Sequence, residues 1–258
     1  MPSPLFDLSS QVAVITGSSR GIGRSIAEQM ALAGARVVIS SRKSEACEAV
    51  AQAIRDAGGE ALAVAANISN TDDLERLVAT TLDTWGAIDT LVCNAASNPY
   101  FGPLSGLEDQ VFDKIMHNNV RANLWLANRT APQMAERGRG NVIIVSSIGG
   151  LRGDRLLGAY NISKAADMQL VRNLAVEWGS RGLRFNAIAP GLIRTDFARA
   201  LWQNPKLLGR IESVTPLQRI GEPDEIGGIA VFLASAAAAF ITGQVIVADG
   251  GVTIGAPW

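Results

Sequence analysis

Val12-Ala13-Val14-Ile15-Thr16, a short apolar run rich in β-branched residues, opens directly into Gly17-Ser18-Ser19-Arg20-Gly21-Ile22-Gly23. A segment follows with Ile26, Met30 and Leu32 on or near one helical face, ending before Gly34. A buried strand, a glycine turn and a helix in that order leave few folds open. The glycines let the backbone approach a pyrophosphate, and the amino end of the helix favours its negative charge. The spacing Gly17, Gly21, Gly23 is not the G-x-G-x-x-G form, and an ordinary tight strand-to-helix turn is the competing reading.

The rest of the chain keeps to the alternation. Residues 36–41 read as a second strand, 44–57 as a helix closed by Gly58-Gly59, and 61–66 as a third strand leading to Asn67-Ile68. Asn70-Thr71-Asp72-Asp73 caps a helix that runs to Trp85 and makes its first turn negative. Residues 90–93 form a fourth strand ending at Asn94-Ala95-Ala96, small enough for a ribose to lie close. Residues 107–137 contain a long helix that Pro132 should kink or end. A fifth strand over 142–145, a helix beginning near Tyr160 and a sixth strand over 185–188 complete the pattern. Strands alternating with helices at this pace predict an α/β fold, a single-domain Rossmann-type doubly wound parallel sheet over residues 1–258.

Composition narrows the function. Apolar residues make up 48% and charged ones 18%, enough for a large core. A formal net charge of −1 with Lys and Arg spread along the chain argues against nucleic acid as a partner. Cys47 and Cys93 have neither a disulfide framework nor metal-ligand spacing, and the single histidine, His117, reads as structural, so no metal is expected. Met1-Pro2-Ser3-Pro4 lacks the pattern of a signal peptide, and Ala256-Pro257-Trp258 is not a peroxisomal or reticulum address. Residues 229–241, the most apolar stretch, are too short for a membrane span and read as a buried helix. The expectation is a cytoplasmic protein with no membrane partner.

The chemistry concentrates in Ser147, Tyr160 and Lys164. Ser147 would sit at the carboxyl end of the fifth strand, where open parallel sheets bind ligands. Tyr160 and Lys164, four residues apart, share one helical face. A free phenol, with a pKa of about 10, releases its proton poorly at neutral pH, and a neighbouring ammonium eases that release. Tyr160 could then protonate a carbonyl oxygen, or deprotonate an alcohol in reverse, while Ser147 holds the same oxygen. An isolated Y-x-x-x-K more often means an exposed Tyr and a solvated Lys; the surrounding motifs carry the functional reading.

The end of the second strand speaks to the cofactor. An NAD fold usually places an acidic residue here for the ribose 2′-hydroxyl, whereas this chain has Ser40-Ser41-Arg42-Lys43. Hydroxyls and two cations suit a 2′-phosphate, hence NADP(H) rather than NAD(H), with Arg20 as a further cation. The alternative is that Arg42 and Lys43 merely flank a helix start.

With these residues in view, the chain resembles the short-chain dehydrogenase/reductase family along almost its whole length. Thr16-Gly17 with Gly21 and Gly23 is similar to its cofactor loop, which brings in Ser19, Arg20 and Ile22. Asn94-Ala95-Ala96 resembles its Asn-Ala-Gly segment, with Ala96 replacing the usual glycine. Ser147, Tyr160 and Lys164 match its active-site serine and Y-x-x-x-K, Tyr160 standing thirteen positions after Ser147. The resemblance implies that Asn119 holds a water in a proton relay and that Lys164 also binds the nicotinamide ribose. It implies that Pro190, Gly191, Ile193 and Thr195 contact the nicotinamide amide, and that Asn67 and Ile68 lie near the adenine. Many members have Asp at the Asn67 position, so only a charge is lost. Ser41-Arg42-Lys43 and Asn98-Pro99-Tyr100-Phe101-Gly102 look most like NADPH-dependent carbonyl and retinal reductases, although the carboxyl-terminal peroxisomal tripeptide of some of them is absent. A homotetramer is also implied.

Residues 189–217 read as a long irregular connection that covers the substrate. Phe197, Leu201 and Trp202 there, with Ile148, Leu156 and Phe101 elsewhere, would favour a hydrophobic or aromatic ketone; the same lid residues also suit a subunit interface. The leading expectation is an NADP-dependent enzyme of this family, acting on CH–OH groups and carbonyls, with Asn119, Ser147, Tyr160 and Lys164 catalytic. An NAD-dependent dehydrogenase of sugars, polyols or secondary alcohols is the alternative enzyme. A catalytically silent nucleotide sensor is the alternative class, because fold does not fix function.

Overall fold

In the computed structural model, which describes residues 4–255, seven parallel strands form one sheet in the order β3-β2-β1-β4-β5-β6-β7. The strands are β1 Val12–Thr16, β2 Arg36–Ser40, β3 Glu60–Ala63, β4 Thr90–Cys93, β5 Gly140–Val145, β6 Leu183–Pro190 and β7 Val245–Ala248. The chain builds outward from β1 to β3, then returns to the other side of β1 with β4, so β1 and β4 flank the point where the winding reverses.

Period-two alternation sends each strand's side chains into two cores. On one face, Val14, Val38, Leu91, Val142 and Phe185 pack under helices α3 (Thr71–Trp85), α5 (Ala122–Glu136) and α6 (Gly158–Trp178). On the other, Ile15, Ile39, Val92, Ile143 and Ile188 pack under α1 (Gly21–Leu32), α2 (Ser44–Asp56) and α9 (Pro223–Ala234). Helices on both faces explain why the strands read as unbroken apolar runs.

The structure departs from sequence expectation in five places. The third strand ends at Ala63, although Val64 N and Ala66 N still donate to Ile39 O and Ser41 O, both at 3.0 Å, and both residues stay buried. The helix expected over 107–137 is α4 (Asp109–Met116), a π-helical turn His117–Arg121 and then α5 without a break. Pro132 lies inside α5 and does not end it. An interior proline costs about 3 kcal/mol, and burial of Leu126, Ala127, Ala131 and Met134 on the sheet outweighs it. Residues 229–241 are not one helix: α9 stops before Ser235, whose hydroxyl accepts from Ala237 N and starts a separate 3-10 turn. Residues 189–217 contain α7 (Arg199–Trp202) and α8 (Pro205–Val214), the latter capped by Asn204. Strand β7, unpredicted, pairs with β6 from Ala187↔Val245 to Pro190↔Ala248.

Candidate functional site

The reversal point is where the glycine loop sits. Thr16, the last residue of β1, accepts at Oγ1 from Asn94 N and Ala95 N, both at 3.1 Å. Asn94 returns its amide to Thr16 O at 2.9 Å and Gly17 O at 3.2 Å, so the loops after β1 and β4 are laced together. Gly17 has φ +67°, and a Cβ on Gly23 would stand 2.4 Å from both Asn94 Nδ2 and Gly17 O. Only glycine fits there. Buried Ser18 ties the loop to β2, donating to Ile15 O and accepting from Ser40 N.

Helix α1 begins with Arg20 extended, no side-chain cap and no acid in its first turn. Its first N–H groups are therefore left for an anion, and the backbone bends as a pyrophosphate cradle requires. The segment after β6 closes against this loop, with Thr195 Cγ2 3.2 Å from where a Gly21 Cβ would be. Gly191 packs tightly on Asp249, and Ile193 is buried.

At the end of β2, Arg42 and Lys43 are exposed and make no ion pair among the described residues. Ser41 Oγ lies 3.1 Å from Cys47 Sγ. Arg20 extends the other way, 3.9 Å from Asp196. Asn67 Oδ1 accepts from Ser69 N, shaping its own turn, while Ile68 packs on the core.

Ser147, Tyr160 and Lys164 are brought together by the packing of the turn Ile148–Leu151 on α6. A Cβ on Gly150 would meet Lys164 C and Ala165 N at 2.7 Å, so this glycine lets the turn lie on the helix backbone. Ser146 Oγ adds a hydrogen bond to Lys164 O at 2.8 Å. Ser147 Oγ accepts from Gly149 N at 3.0 Å, which leaves its proton free to donate. Tyr160 stands half-buried in the first turn of α6. The Phe197 ring centroid is 6.2 Å from its own, and Lys164 Nζ lies 5.7 Å from its centroid.

Lys164 is 1% exposed, and Nζ donates to Val145 O at 2.9 Å and Asp167 Oδ2 at 3.0 Å. Burial opposes its charge, but Asp167, Tyr160 and the bond to Asp167 more than offset this and hold its proton above the usual lysine range. Asp167 Oδ1 accepts from Asn123 Nδ2 at 3.0 Å. Asn119 lies in the π-helical turn, a geometry found often at functional sites. Its side chain accepts from Ser97 N at 2.8 Å and donates to Ser97 O and Ser163 Oγ, both at 3.0 Å.

The remaining candidates gather nearby. Gly102 N donates to Leu156 O at 2.9 Å, and Leu104 packs against Gly158, which brings the segment with Phe101 to the start of α6. Ile148 is buried under the turn, whereas Leu156 and Phe197 are exposed. Trp202 Nε1 donates to Thr195 O at 2.8 Å, and Leu201 beside it is half-buried. Sequence reasoning missed Asp167, Asn123, Ser163 and Ser97. Asp167 alone left a signal, an acid three residues after Lys164 on the same helical face.

This geometry defines a class: a doubly wound dinucleotide fold with Ser, Tyr and Lys gathered beyond its strand ends. Residues 17–253 match the family model described as enoyl-(acyl carrier protein) reductase. Dehydrogenase/reductase SDR family member 4 from Bos taurus is 41% identical over 244 residues, 95% of this chain and 88% of that protein. A gluconate 5-dehydrogenase from Burkholderia cenocepacia, in complex with NADP and tartrate, superposes with a TM-score of 0.94 at 32% identity, covering 98% and 99% of the two chains. A 7α-hydroxysteroid dehydrogenase complexed with NADH and 7-oxo glycochenodeoxycholic acid gives 0.93 at 33% identity, covering 97% of each. The chain belongs to the short-chain dehydrogenase/reductase family of oxidoreductases.

Proposed function

We propose that this protein is an NADP(H)-dependent reductase of ketones or aldehydes that works in reverse on secondary alcohols. The observation that carries the reading is the buried Lys164 ammonium beside the Tyr160 ring, with a Ser147 hydroxyl, its proton free, leading the turn that packs on the same helix. The nicotinamide, when bound, supplies or accepts the hydride. Tyr160 gives its phenolic proton to the carbonyl oxygen, and Lys164 stabilises the phenolate left behind. Ser147 donates a hydrogen bond to the same oxygen as charge develops. Asn119 supports the proton relay and, through Ser163, braces the helix that carries Tyr160.

The chain's own residues would hold the dinucleotide along the strand ends. Gly17, Ser19, Arg20, Gly21, Ile22 and Gly23 form the pyrophosphate cradle, and Ser41, Arg42 and Lys43 meet the 2′-phosphate. Asn67 and Ile68 border the adenine, while Asn94, Ala95 and Ala96 border the adenosine ribose. The one Lys164 N–H not used by Val145 or Asp167 serves the nicotinamide ribose, and Pro190, Gly191, Ile193 and Thr195 the amide. The two cations after β2, without an ion pair among the described residues, support NADP(H) over NAD(H). Ile148, Leu156, Phe197, Leu201 and Trp202 would take a hydrophobic or aromatic carbonyl compound under a lid over 190–217. Exposed Phe240, Val176 and Ile254 support burial between copies in a homotetramer.

The test is a panel of carbonyl compounds with NADPH or NADH, followed by loss of reduced-cofactor absorbance. Turnover is expected with NADPH. Tyr160→Phe should keep cofactor affinity and lose about 10²–10⁴-fold in turnover; undiminished turnover would rule out the assignment.

A further inference from the structure

We propose that Asp167 is a positioning residue for the Tyr160–Lys164 pair: its buried carboxylate fixes the ammonium in place and holds it charged, and so sets the pH dependence of proton transfer. This rests on the proton-transfer role proposed above for Tyr160.

Asp167 is 0% exposed, deep in a helix. Burying a carboxylate is costly unless it is paired and fully hydrogen-bonded. Here both oxygens accept, Oδ2 from Lys164 Nζ and Oδ1 from Asn123 Nδ2, each at 3.0 Å. That is the bonding of a carboxylate, which only accepts; burial pushes this acid's pKa up, and the Lys164 ammonium and the Asn123 bond act against that rise. Asn123 Nδ2 also donates to Asn119 O at 2.6 Å, and Asn119 reaches Ser163 on α6. Asp167 therefore closes a buried ring of bonds joining α6, the π-helical turn and the carbonyl end of β5.

The ring explains how a four-carbon side chain keeps one direction. Two of the three Lys164 N–H groups are committed, to Val145 O and Asp167 Oδ2, and one remains. It also modulates charge. Burial by itself would drive Lys164 toward the neutral amine, and the anion 3.0 Å away keeps it charged beside Tyr160. The other groups facing the pair leave this balance to Asp167. Cys93 on β4 is titratable, but burial pushes its thiol up and keeps it neutral. The π-helical turn and α5 offer Asn119 and Asn123, which do not titrate, and β5 offers the Val145 carbonyl.

The chain has two tyrosines, Tyr100 and Tyr160, so Tyr100→Phe leaves Tyr160 as the sole phenol. Phenolate absorbance against pH in the cofactor-free protein then reads Tyr160 directly. Adding Asp167→Asn, which keeps the shape and removes the charge that holds Lys164 protonated, should move the midpoint up by about one pH unit or more. The rising limb of alcohol oxidation with NADP should move by the same amount. A purely structural role would lower stability or amplitude and leave the midpoint in place, so an unmoved or lowered midpoint overturns the proposal. Should Asp167→Asn not fold by circular dichroism, Asn123→Ala, which removes one donor to the carboxylate, should give a smaller upward shift; no shift there overturns it equally. Absence of turnover by the parent protein across the carbonyl panel counts against the proposed function. An unmoved midpoint beside an active parent counts against Asp167 alone.

Discussion

Helix α6 and the segment after β6 that carries α7 and α8 meet where Phe197 lies by the Tyr160 ring, and they are built in opposite ways. On α6, Asn161, Ser163, Lys164 and Asp167 are buried, and the last three are bonded to one another's neighbours through Asn119, Asn123 and Val145. Helices α7 and α8 contain no buried residue. Helix α7 is held by Trp202 bonding to Thr195 O, by the Arg199–Asp196 ion pair and by Arg194 over the Trp202 ring at 5.5 Å, and α8 is capped by Asn204. Phe197, 59% exposed, is the member of this region that meets the Tyr160 ring. The difference teaches where precision is spent. Proton transfer needs donor and acceptor fixed within a fraction of an ångström, so its groups are locked in the core. A cover that admits and releases a ligand belongs to the weakly packed part of a fold.

Breaking the locked side should have the largest effect. Lys164→Met leaves Asp167 buried without its counter-charge, and should lower unfolding free energy by about 3–5 kcal/mol in denaturant titrations, besides abolishing turnover. A loss under 1 kcal/mol would mean that the floor is less rigid than its bonding implies. Arg42→Ala, outside both regions, should weaken NADPH roughly 10- to 100-fold and NADH little, read by direct binding titration. Equal losses would remove the case for the 2′-phosphate.

Phe197→Ala tests the cover. Stability should stay within about 0.5 kcal/mol, while KM for a bulky apolar ketone rises several-fold and kcat holds. A collapse of kcat instead would move Phe197 from the cover into the machinery. The smallest effect belongs to Glu225, which accepts from Arg219 and Glu222 N at the start of α9, next to the cover. The Arg219 guanidinium lowers its carboxyl to about 2, well below the ordinary 4.5. Because the folded value is depressed, the stabilisation is present above about pH 4.5 and fades as the pH falls through 2. Glu225→Gln should cost at most about 2 °C in melting temperature at neutral pH, with the gap closing in acid.

Much of this was legible in the order of residues alone. Alternating apolar runs and amphipathic segments named six of the strands, and the glycine spacing named the loop that opens α1. Tyr160 and Lys164 share a helical face because helical geometry puts residues four apart together, whatever surrounds them. Such features depend on neighbours in the chain. Tertiary structure decided the rest: that Pro132 is tolerated in α5, that 189–217 holds two helices, that β7 closes the sheet, and that Asp167 receives the Lys164 ammonium. Each of these turns on what is buried against what, and the free energy of burial is set by partners distant in sequence.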